Sequence, residues 1–221
     1  MSHAVNLNNW MYSQIEPYIN GRVLEIGSGI GNISQVFIKE GKDIDLSDIR
    51  DQYIDFLNDK FPNNKVLKID LVHPDFDKVY NHLSGTYDLV FALNVIEHIE
   101  DDKLAIKNLS KLLKPNGIIY ILVPAYQFLY NNFDKSLFHF RRYTKTTLKR
   151  IFHSNLNYLK SWYFNFAGIF GWYIVGKIFK KKIIPESNMK LYNFLTPIFK
   201  VLDIITLRSI GLSVVVVFKK F

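Results

Sequence analysis

The first third of the chain places acidic side chains and glycines at the ends of short apolar segments. In the segment VLEIGSGIG, residues 23–31, Glu25 comes two residues before Gly27, and Gly29 and Gly31 follow at alternate positions. Such glycines let the backbone turn tightly and approach a ligand closely, and a helix after them offers unpaired N–H groups. The GxGxG spacing differs from the GxGxxG of dinucleotide-binding enzymes. The segment predicts a ligand site where a strand ends.

Two further carboxylates follow the next two apolar segments. Asp48 lies 21 residues beyond Gly27, where a carboxylate can accept hydrogen bonds from ribose hydroxyls. Asp45 is the alternative, but it would lie in the middle of the strand, so we favour Asp48. Asp70 closes the segment VLKIDL, where it could accept from an adenine amino group. Each acid alone could cap a turn or helix, but acids at three successive strand ends predict a nucleoside site.

Strands and helices alternate through the first two thirds of the chain. The predicted strands are Val23–Ile26, Ile44–Ser47, Val66–Ile69, Tyr87–Leu93 and Gly117–Val123, and the predicted helices are Asn32–Glu40, Arg50–Lys60, Lys103–Leu113 and one from Thr144 to about Phe152. This alternation predicts an α/β fold with a mostly parallel sheet and helices on both of its faces. Ligands of such sheets bind at the carboxyl ends of the strands.

The C-terminal third is apolar and aromatic. Leu156–Phe164 predicts a sixth strand and Leu212–Phe218 a final one. Between them lie two apolar segments, Phe166–Phe179 and Leu191–Leu207, separated by the basic run Lys180–Lys182. We predict no membrane-spanning helix, because such a helix needs about 20 apolar residues. The aromatic and basic residues here fit either an amphipathic membrane surface or a helical cap buried on the core or on a second subunit.

Five segments stand in a characteristic order: VLEIGSGIG, LSDI, KIDL, YDLVFALNVIEHIEDD and LLKPNGIIYILVP. Together they make residues 5–150 resemble the class I S-adenosylmethionine-dependent methyltransferases. The resemblance implies a Rossmann-like, doubly wound, seven-stranded sheet whose last strand is antiparallel. It also implies a single methyltransferase domain over residues 1–221. In that domain, residues 1–155 form the cofactor-binding core, and a helical, aromatic-rich insertion at 160–210 precedes the last strand at 212–218.

The resemblance implies S-adenosylmethionine as cofactor and a set of residues that hold it. These cofactor-binding residues are Glu25, Gly27, Ser28, Gly29, Gly31, Asp48, Ile49, Asp70, Leu71, Leu93 and Asn94. Glu25 and the glycine loop would hold the methionine end, Asp48 the ribose, and Asp70 with Leu71 the adenine. Trp10 and Tyr12, in the lead-in helix, would either cover the cofactor or belong to the core.

The pair Glu97-His98 follows the fourth strand. Methyl transfer to oxygen or nitrogen needs alignment and a base, and a histidine with a pKa near 7 suits that role. We predict His98 as the catalytic base, although the glutamate of such a pair often has a structural role in this family. Some members that methylate oxygen hold a divalent ion with ExxEH. Here Asn94 occupies the first position; His139 could replace the missing ligand, but we predict no metal.

Residues 124–148 collect aromatic and charged side chains beside the expected cleft. The segment resembles a bacterial, type 11/12-like methyltransferase subgroup with a D…H.RRYT pattern, which is associated with surface-glycan or lipid-linked sugar pathways. The predicted substrate-contacting residues are Tyr126, His139, Arg141, Arg142 and Tyr143. Arg141 and Arg142 could grip a phosphate or carboxylate in bidentate fashion. Alternatively, the arginines tie the loop to aspartates or helix ends.

Charge is distributed unevenly along the 221 residues. Residues 1–110 hold 10 Lys+Arg and 17 Asp+Glu, a net −7, whereas residues 111–221 hold 18 and 3, a net +15. This basic half suggests an anionic partner, and the alternative is a solubilising charge around an apolar region. The chain has no cysteine, which excludes disulfides, zinc–thiolate sites and thiol nucleophiles.

These features predict transfer of a methyl group, with oxygen favoured, to a small or lipid- or sugar-linked anionic acceptor. An RNA methyltransferase and a non-catalytic, cofactor-binding scaffold at a membrane surface are the alternatives. Nucleic acid is disfavoured because RNA-binding modules and the NPPY type of acceptor motif are absent. The N-terminus shows no signal peptide, so we predict a cytoplasmic protein. Peripheral membrane association and a homodimer both stay open.

Overall fold

A computed structural model describes residues 4–153, 155–178 and 186–221. The strands are β1 (Val23–Ile26), β2 (Ile44–Asp48), β3 (Val66–Lys68), β4 (Tyr87–Leu93), β5 (Leu113–Pro124), β6 (Leu156–Phe164) and β7 (Ser213–Lys220). The α-helices are α1 (Val5–Ile15), α2 (Ser34–Lys39), α3 (Asp51–Lys60), α4 (Phe76–Val79), α5 (Asp102–Leu112), α6 (Asn132–Ser136), α7 (Lys145–Lys149), α8 (Gly168–Trp172) and α9 (Glu186–Ile205). Single 3-10 turns cover Glu16–Tyr18, Asn81–Leu83, Ile96–His98 and Gln127–Leu129, and a π-helical turn covers Tyr173–Ile178.

The seven strands form one sheet in the order β3-β2-β1-β4-β5-β7-β6. Strands β1 to β5 run parallel to one another, and β7 lies antiparallel between β5 and β6. The chain reverses its strand order between β1 and β4, which is where ligands of open α/β sheets bind. This arrangement confirms the predicted doubly wound sheet with an antiparallel last strand.

Side chains of the central strands alternate between two hydrophobic layers. Leu24 and Ile26 of β1 belong to the layer that includes α5, whereas Val23 faces the layer that includes α1 and α2. Trp10 and Tyr12 lie in the second layer: the Trp10 ring packs 4.3 Å from Phe164, between ring centroids. Their burial assigns both aromatics to the core.

Element boundaries differ from the predictions mainly at β5. This strand begins at Leu113 rather than Gly117, because Tyr87 pairs with Leu113 and the register then shifts before Leu89 pairs with Ile118. Asn116, which has a φ of +67°, lies within this shift, three residues after the predicted end of the helix at Leu113. Helix α7 starts after Thr144 as predicted, with a capping box, but ends at Lys149 rather than near Phe152.

The predicted insertion at 160–210 starts later than expected, because residues 160–164 belong to β6. It consists of α8, the π-helical turn and α9. The predicted basic run Lys180–Lys182 lies outside the described residues. Helix α9 is anchored by its inner face: buried Asp203 accepts from the backbone N–H groups of Asn165 (2.7 Å) and Phe166 (2.6 Å). Among the described residues, no helix is both long and apolar enough to cross a membrane.

Candidate cofactor site and active site

Four neighbouring strands bring the predicted polar residues to one edge of the sheet. Glu25 lies in β1, Asp48 is the last residue of β2, and Asp70 follows β3 by two residues. Asn94 comes directly after β4. Because these strands are parallel neighbours in the order β3-β2-β1-β4, their carboxyl ends meet. The sequence therefore predicted correctly which residues share this edge.

Asp48 holds the glycine loop in place. One carboxylate oxygen, Oδ2, accepts from the backbone N–H of Gly29 at 3.0 Å, and Oδ1 accepts from the N–H of Arg50 at 3.0 Å. The loop is tied further to β2, since the Ser28 N–H donates to the Ser47 carbonyl at 2.7 Å. Asp48 is 4% exposed; Oδ1 also accepts from Nε of Arg50 at 3.4 Å, whereas Oδ2 keeps a lone pair for a further donor.

Asp45, the alternative to Asp48, has a structural role. Its carboxylate pairs with the Arg22 guanidinium at 2.9 Å and accepts from the Tyr87 hydroxyl at 2.7 Å. It lies in the middle of β2 and is buried with these partners. The structure therefore favours Asp48 for ligand binding, as the sequence did.

Glu25 is a buried carboxyl group beneath the loop. The Ser34 hydroxyl donates to it, a contact that the sequence analysis did not anticipate. Burial raises the pKa of Glu25 to about 7, against the opposing hydrogen bonds of Ser34 and Ser28. A bound ammonium group would favour the ionised form of Glu25. The methionine end of S-adenosylmethionine carries such a group, so the Glu25 carboxylate fits the implied cofactor.

The three loop glycines differ in the space around them. A Cβ at Gly27 would lie 2.5 Å from Val95, and one at Gly31 would lie 2.4 Å from the Phe61 ring. A Cβ at Gly29 would meet nothing within 4 Å, although its φ is +55°. The glycine loop therefore packs on protein at both ends and faces open space at its middle, as a ligand cradle would.

We expect different effects from alanine at Gly29 and Gly31. Both substitutions bear a left-handed backbone penalty of about 1–2 kcal/mol, but only Gly31→Ala also forces Cβ into the Phe61 ring. Gly31→Ala should therefore lower the melting temperature more than Gly29→Ala. Gly29→Ala should retain the fold and weaken S-adenosylmethionine binding in calorimetry, because its methyl group enters the open cradle. Equal affinities in Gly29→Ala and wild type would contradict this assignment.

The turn after β4 carries Glu97 and His98. It begins at Asn94, which has a φ of +54° and donates its N–H to the Leu122 carbonyl at 2.8 Å. Glu97 is fully buried, and neither of its carboxylate oxygens has a hydrogen-bond partner in the described part of the chain. His98 is exposed, and its ring lies 4.6 Å from the His139 ring, edge to face.

The surroundings of Glu97 and His98 shift the pKa of each side chain. Burial raises the pKa of Glu97 to about 8, with Asp134 adding to the rise and Arg142 opposing it. Partial desolvation of the His98 ring, and then the nearby His139, lower the pKa of His98 to about 4. His98 is therefore neutral at pH 7 and can accept a proton, but it is a weaker base than an ordinary histidine.

His139 is oriented by a carboxylate. Its Nδ1 lies 2.8 Å from Oδ1 of Asp134, and its Nε2 lies 4.0 Å from Oε1 of Glu97. Asp134 also accepts from Nε of Arg142 at 2.7 Å. Burial opposes ionisation of Asp134, but the bonds from His139 and Arg142 lower its pKa overall. Asp134 is the first residue of the D…H.RRYT pattern but was not among the predicted site residues, because its role depends on contacts between side chains.

Arg142 does not reach a substrate as predicted. Its side chain is 1% exposed, pairs with Asp134, donates to the Ala125 carbonyl at 3.1 Å and stacks 4.7 Å over the Trp172 ring. Tyr143 is likewise buried, and its hydroxyl donates to Asp102 at 2.8 Å. The prediction of substrate contact is corrected for both residues, because internal partners satisfy their polar groups.

The side chains of Arg141 and Tyr126 are only partly buried by the protein. Arg141 donates to Asp102 at the start of α5 (2.8 Å) and to the Glu100 carbonyl (2.8 Å), while 34% of its side chain stays exposed. Tyr126 has a φ of +60° and stacks on Tyr163 at 4.8 Å. Both arginines therefore tie the loop to aspartates, Arg141 to Asp102 at the start of α5 and Arg142 to Asp134.

Residues 24–119 match a family described as a methyltransferase domain. A ubiquinone biosynthesis O-methyltransferase from Pelagibacter ubique is 32% identical over 111 residues, covering 49% of this chain and 44% of that protein. A probable polyketide synthase from Dictyostelium discoideum is 27% identical over 157 residues, 59% of this chain and 6% of that protein. The chain thus spans less than half the length of these curated relatives.

The fold is also that of solved methyltransferases. A SAM-dependent methyltransferase from Archaeoglobus fulgidus superposes with a TM-score of 0.60 at 19% identity, covering 96% of this chain and 94% of that one. Residues 24–119 thus match a methyltransferase domain, and the fold is that of solved S-adenosylmethionine-dependent methyltransferases. Glu25, Asp48 and the open face at Gly29 suit S-adenosylmethionine as the cofactor.

Proposed function

We propose that this methyltransferase moves the methyl group of S-adenosylmethionine to an oxygen of an anionic acceptor, small or lipid- or sugar-linked. One observation carries the proposal: the glycine loop, three acidic residues and the Glu97-His98 turn share the carboxyl edge of four adjacent strands. Cofactor-binding groups and a proton acceptor therefore lie side by side. The acceptor would enter next to β4, beyond the cofactor.

The residues contribute binding, alignment and proton transfer. S-adenosylmethionine supplies an electrophilic methyl group, so the acceptor oxygen forms the new C–O bond while the electrons of the broken C–S bond stay on sulfur. Asp48 and Glu25 fix the cofactor so that this displacement is in line. His98, neutral at pH 7, accepts the hydroxyl proton or passes it to solvent. Glu97 and His139 lie directly behind it.

Two partly exposed guanidinium groups support a negatively charged acceptor. The Arg50 side chain is 58% exposed and lowers the pKa of His98 by its charge, after burial and His139. The Arg141 side chain is 34% exposed. Arg142 is buried on Asp134, whereas Arg50 and Arg141 keep exposed surface beside their pairs with Asp48 and Asp102. We therefore assign these two cations to the acceptor anion.

An apolar rim supports a lipid-linked acceptor. The segment that carries His139 also exposes four large apolar side chains, namely Phe128, Leu137, Phe138 and Phe140. Phe138 is 82% exposed and has a φ of +59°. Large apolar side chains exposed together on one segment mark a surface that binds something apolar. An acyl or polyprenyl chain attached to the anionic headgroup would cover them.

Helix α9 supports contact with an anionic membrane surface. Its outer face exposes large apolar side chains at helical spacing, namely Leu191, Phe194, Ile198, Val201 and Ile205. Helix α9 packs against α1 on its other side, where the Asn6 N–H donates to Asn193 at 2.7 Å, so this face points away from the core. The net charge of +15 over residues 111–221 complements anionic headgroups.

Methyl transfer is tested with methyl-tritiated S-adenosylmethionine and three acceptor preparations: a bacterial lipid extract, a water-soluble metabolite extract and bulk tRNA. We expect label in anionic products of the first or second preparation, and none with Asp48→Ala. Label confined to RNA would support the RNA alternative. Bound cofactor without transfer to any preparation would support the non-catalytic scaffold.

Sedimentation with vesicles tests the membrane contact. The wild-type protein should bind phosphatidylglycerol vesicles, bind phosphatidylcholine vesicles less, and dissociate as salt rises. Phe194→Asp/Ile198→Asp should bind roughly 100-fold more weakly, since each buried side chain contributes about 1.5–3 kcal/mol. A control pair on other elements, Phe56→Asp/Val79→Asp, should bind like wild type. A wild-type dimer that the α9 pair converts to a monomer, without vesicle binding, would assign the face to a second copy.

A further inference from the structure

The loop that follows β3 is held by polar side chains from the end of α4 and from α5. The backbone N–H of Asp70 donates to the Tyr80 hydroxyl at 2.9 Å. The carbonyl of Leu71, the next residue, accepts from Nδ2 of Asn108 at 2.9 Å. Two consecutive residues of the loop therefore have their backbone groups bound by side chains that lie 10 and 37 positions further along the chain.

Both of these side chains are buried and well packed. Tyr80 is 9% exposed and Asn108 is 2% exposed. The Tyr80 ring lies 4.8 Å from the Phe76 ring and 6.1 Å from the His73 ring, between centroids. Side chains packed in this way lose little further freedom when they bond, so they can hold a loop in one geometry. The hydroxyl of Tyr80 therefore stays at the Asp70 N–H.

The Asp70 carboxylate is oriented by the same loop. Its Oδ1 accepts from the N–H of Val72 at 2.9 Å, which fixes the carboxylate and leaves Oδ2 for a ligand. Asp70 is half-buried at the edge where the parallel strands end. An ionised carboxylate can accept hydrogen bonds but cannot donate them. A fixed Oδ2 therefore binds a donor and disfavours an acceptor.

This difference separates adenine from hypoxanthine. Adenine carries an amino group, a donor, at the position where hypoxanthine carries a carbonyl group, an acceptor. A carboxylate held in place rejects the carbonyl, whereas a carboxylate on a loose loop can turn away from it. The choice between the two bases therefore depends on the groups that hold the loop as well as on Asp70.

We infer that Tyr80 and Asn108 are positioning residues that fix the Asp70 carboxylate and so make the site selective for an adenine amino group. The hydroxyl holds the loop at Asp70 itself, and the amide holds it one residue later. The inference rests on the proposed binding of an adenosyl cofactor at this edge of the sheet. It gives two core residues a part in choosing which nucleoside the site accepts.

The test compares two ligands that differ only in the base, S-adenosylhomocysteine and S-inosylhomocysteine, by calorimetric titration. Wild type should prefer the adenine ligand at least about tenfold, the contribution of one hydrogen bond to a charged group. Tyr80→Phe keeps the packed ring and removes only the hydroxyl, so it should fold normally. It should reduce the preference about fivefold, mainly through weaker binding of the adenine ligand. Asn108→Ala should act in the same direction.

A double-mutant cycle tests whether Tyr80 acts through Asp70. Asp70→Ala should remove the preference, and adding Tyr80→Phe to it should change the preference less than about twofold. The matched control is Tyr158→Phe, which removes an exposed hydroxyl bonded to Ser161 on β6 and should bind both ligands like wild type.

Three results would overturn the inference. The first is folded Tyr80→Phe and Asn108→Ala that keep the wild-type preference. The second is an equal loss of affinity for both ligands in these variants, which would make the two residues merely structural. The third is a wild type that binds both ligands equally well, which would remove the role of Asp70 and leave the cofactor site standing. Failure of wild type to bind either ligand would contradict the proposed function itself.

Discussion

Replacing Asp48 by alanine should lower the affinity for S-adenosylmethionine about 100-fold. Asp48 orders the glycine loop through Gly29, and its Oδ2 presents a free lone pair at the end of β2. Each hydrogen bond to a charged group contributes about 1.5–3 kcal/mol, and 1.4 kcal/mol is a factor of ten. Losing one bond to the ribose and the order of the loop together accounts for about 3 kcal/mol. Calorimetric titration of both proteins measures the ratio.

Two further variants distinguish the loss of the Asp48 carboxylate from a general effect of substitution on the fold. Asp43→Ala removes an exposed aspartate just before the opposite end of β2, so it should bind the cofactor like wild type. Asp48→Asn keeps the shape and one acceptor oxygen, and we expect an intermediate affinity. If Asp48→Ala is folded by its melting curve and still binds within threefold of wild type, Asp48 is not a cofactor ligand.

Replacing Arg142 by alanine should destabilise the protein by about 3–5 kcal/mol, because it leaves the Asp134 carboxylate buried without its cation. For a chain of this size, the melting temperature should fall by roughly 10 °C. The pKa of Asp134 is lowered in the folded protein, so the contribution of the pair is present at neutral pH. It is lost as the pH falls below about 4, where the unfolded aspartate takes up its proton.

The control is an exposed ion pair of similar length. Lys68 lies 2.6 Å from Asp51, and both side chains are more than half exposed. Lys68→Ala should therefore cost less than about 1 kcal/mol. A melting temperature for Arg142→Ala close to that of Lys68→Ala would show that Arg142 is not a structural residue, and it would return Arg142 to the acceptor site.

The sequence was sufficient for the sheet and for the edge where the predicted cofactor-binding residues meet. Strand β4 matches its prediction at both ends, because a continuous apolar run between polar turns marks a buried parallel strand. Asp48 was chosen over Asp45 on position alone, and the contacts of Asp45 with Arg22 and Tyr87 agree with that choice. Such features depend on local pattern and on the parallel order of the strands.

The acceptor side was harder to predict, because its roles depend on long-range side-chain contacts. Arg141 and Arg142 are adjacent in sequence, yet Arg142 is buried on Asp134, whereas Arg141 is partly exposed and reaches Asp102 at the start of α5. No spacing rule distinguishes such neighbours. The burial of Glu97 against His139, across about 40 residues, is likewise visible only in the folded chain. The start of β5 at Leu113 depends on a register shift that propensity does not reveal.

Hydrogen–deuterium exchange with and without S-adenosylmethionine tests the central claim most directly, because it reports both binding and its place in the fold. We predict protection in residues 25–31, 46–50, 69–72 and 93–98, the carboxyl ends of the four adjacent strands. Residues 200–221 should change little. Absence of protection at saturating cofactor, or protection confined to the C-terminal segments, would contradict the placement of the cofactor at this edge.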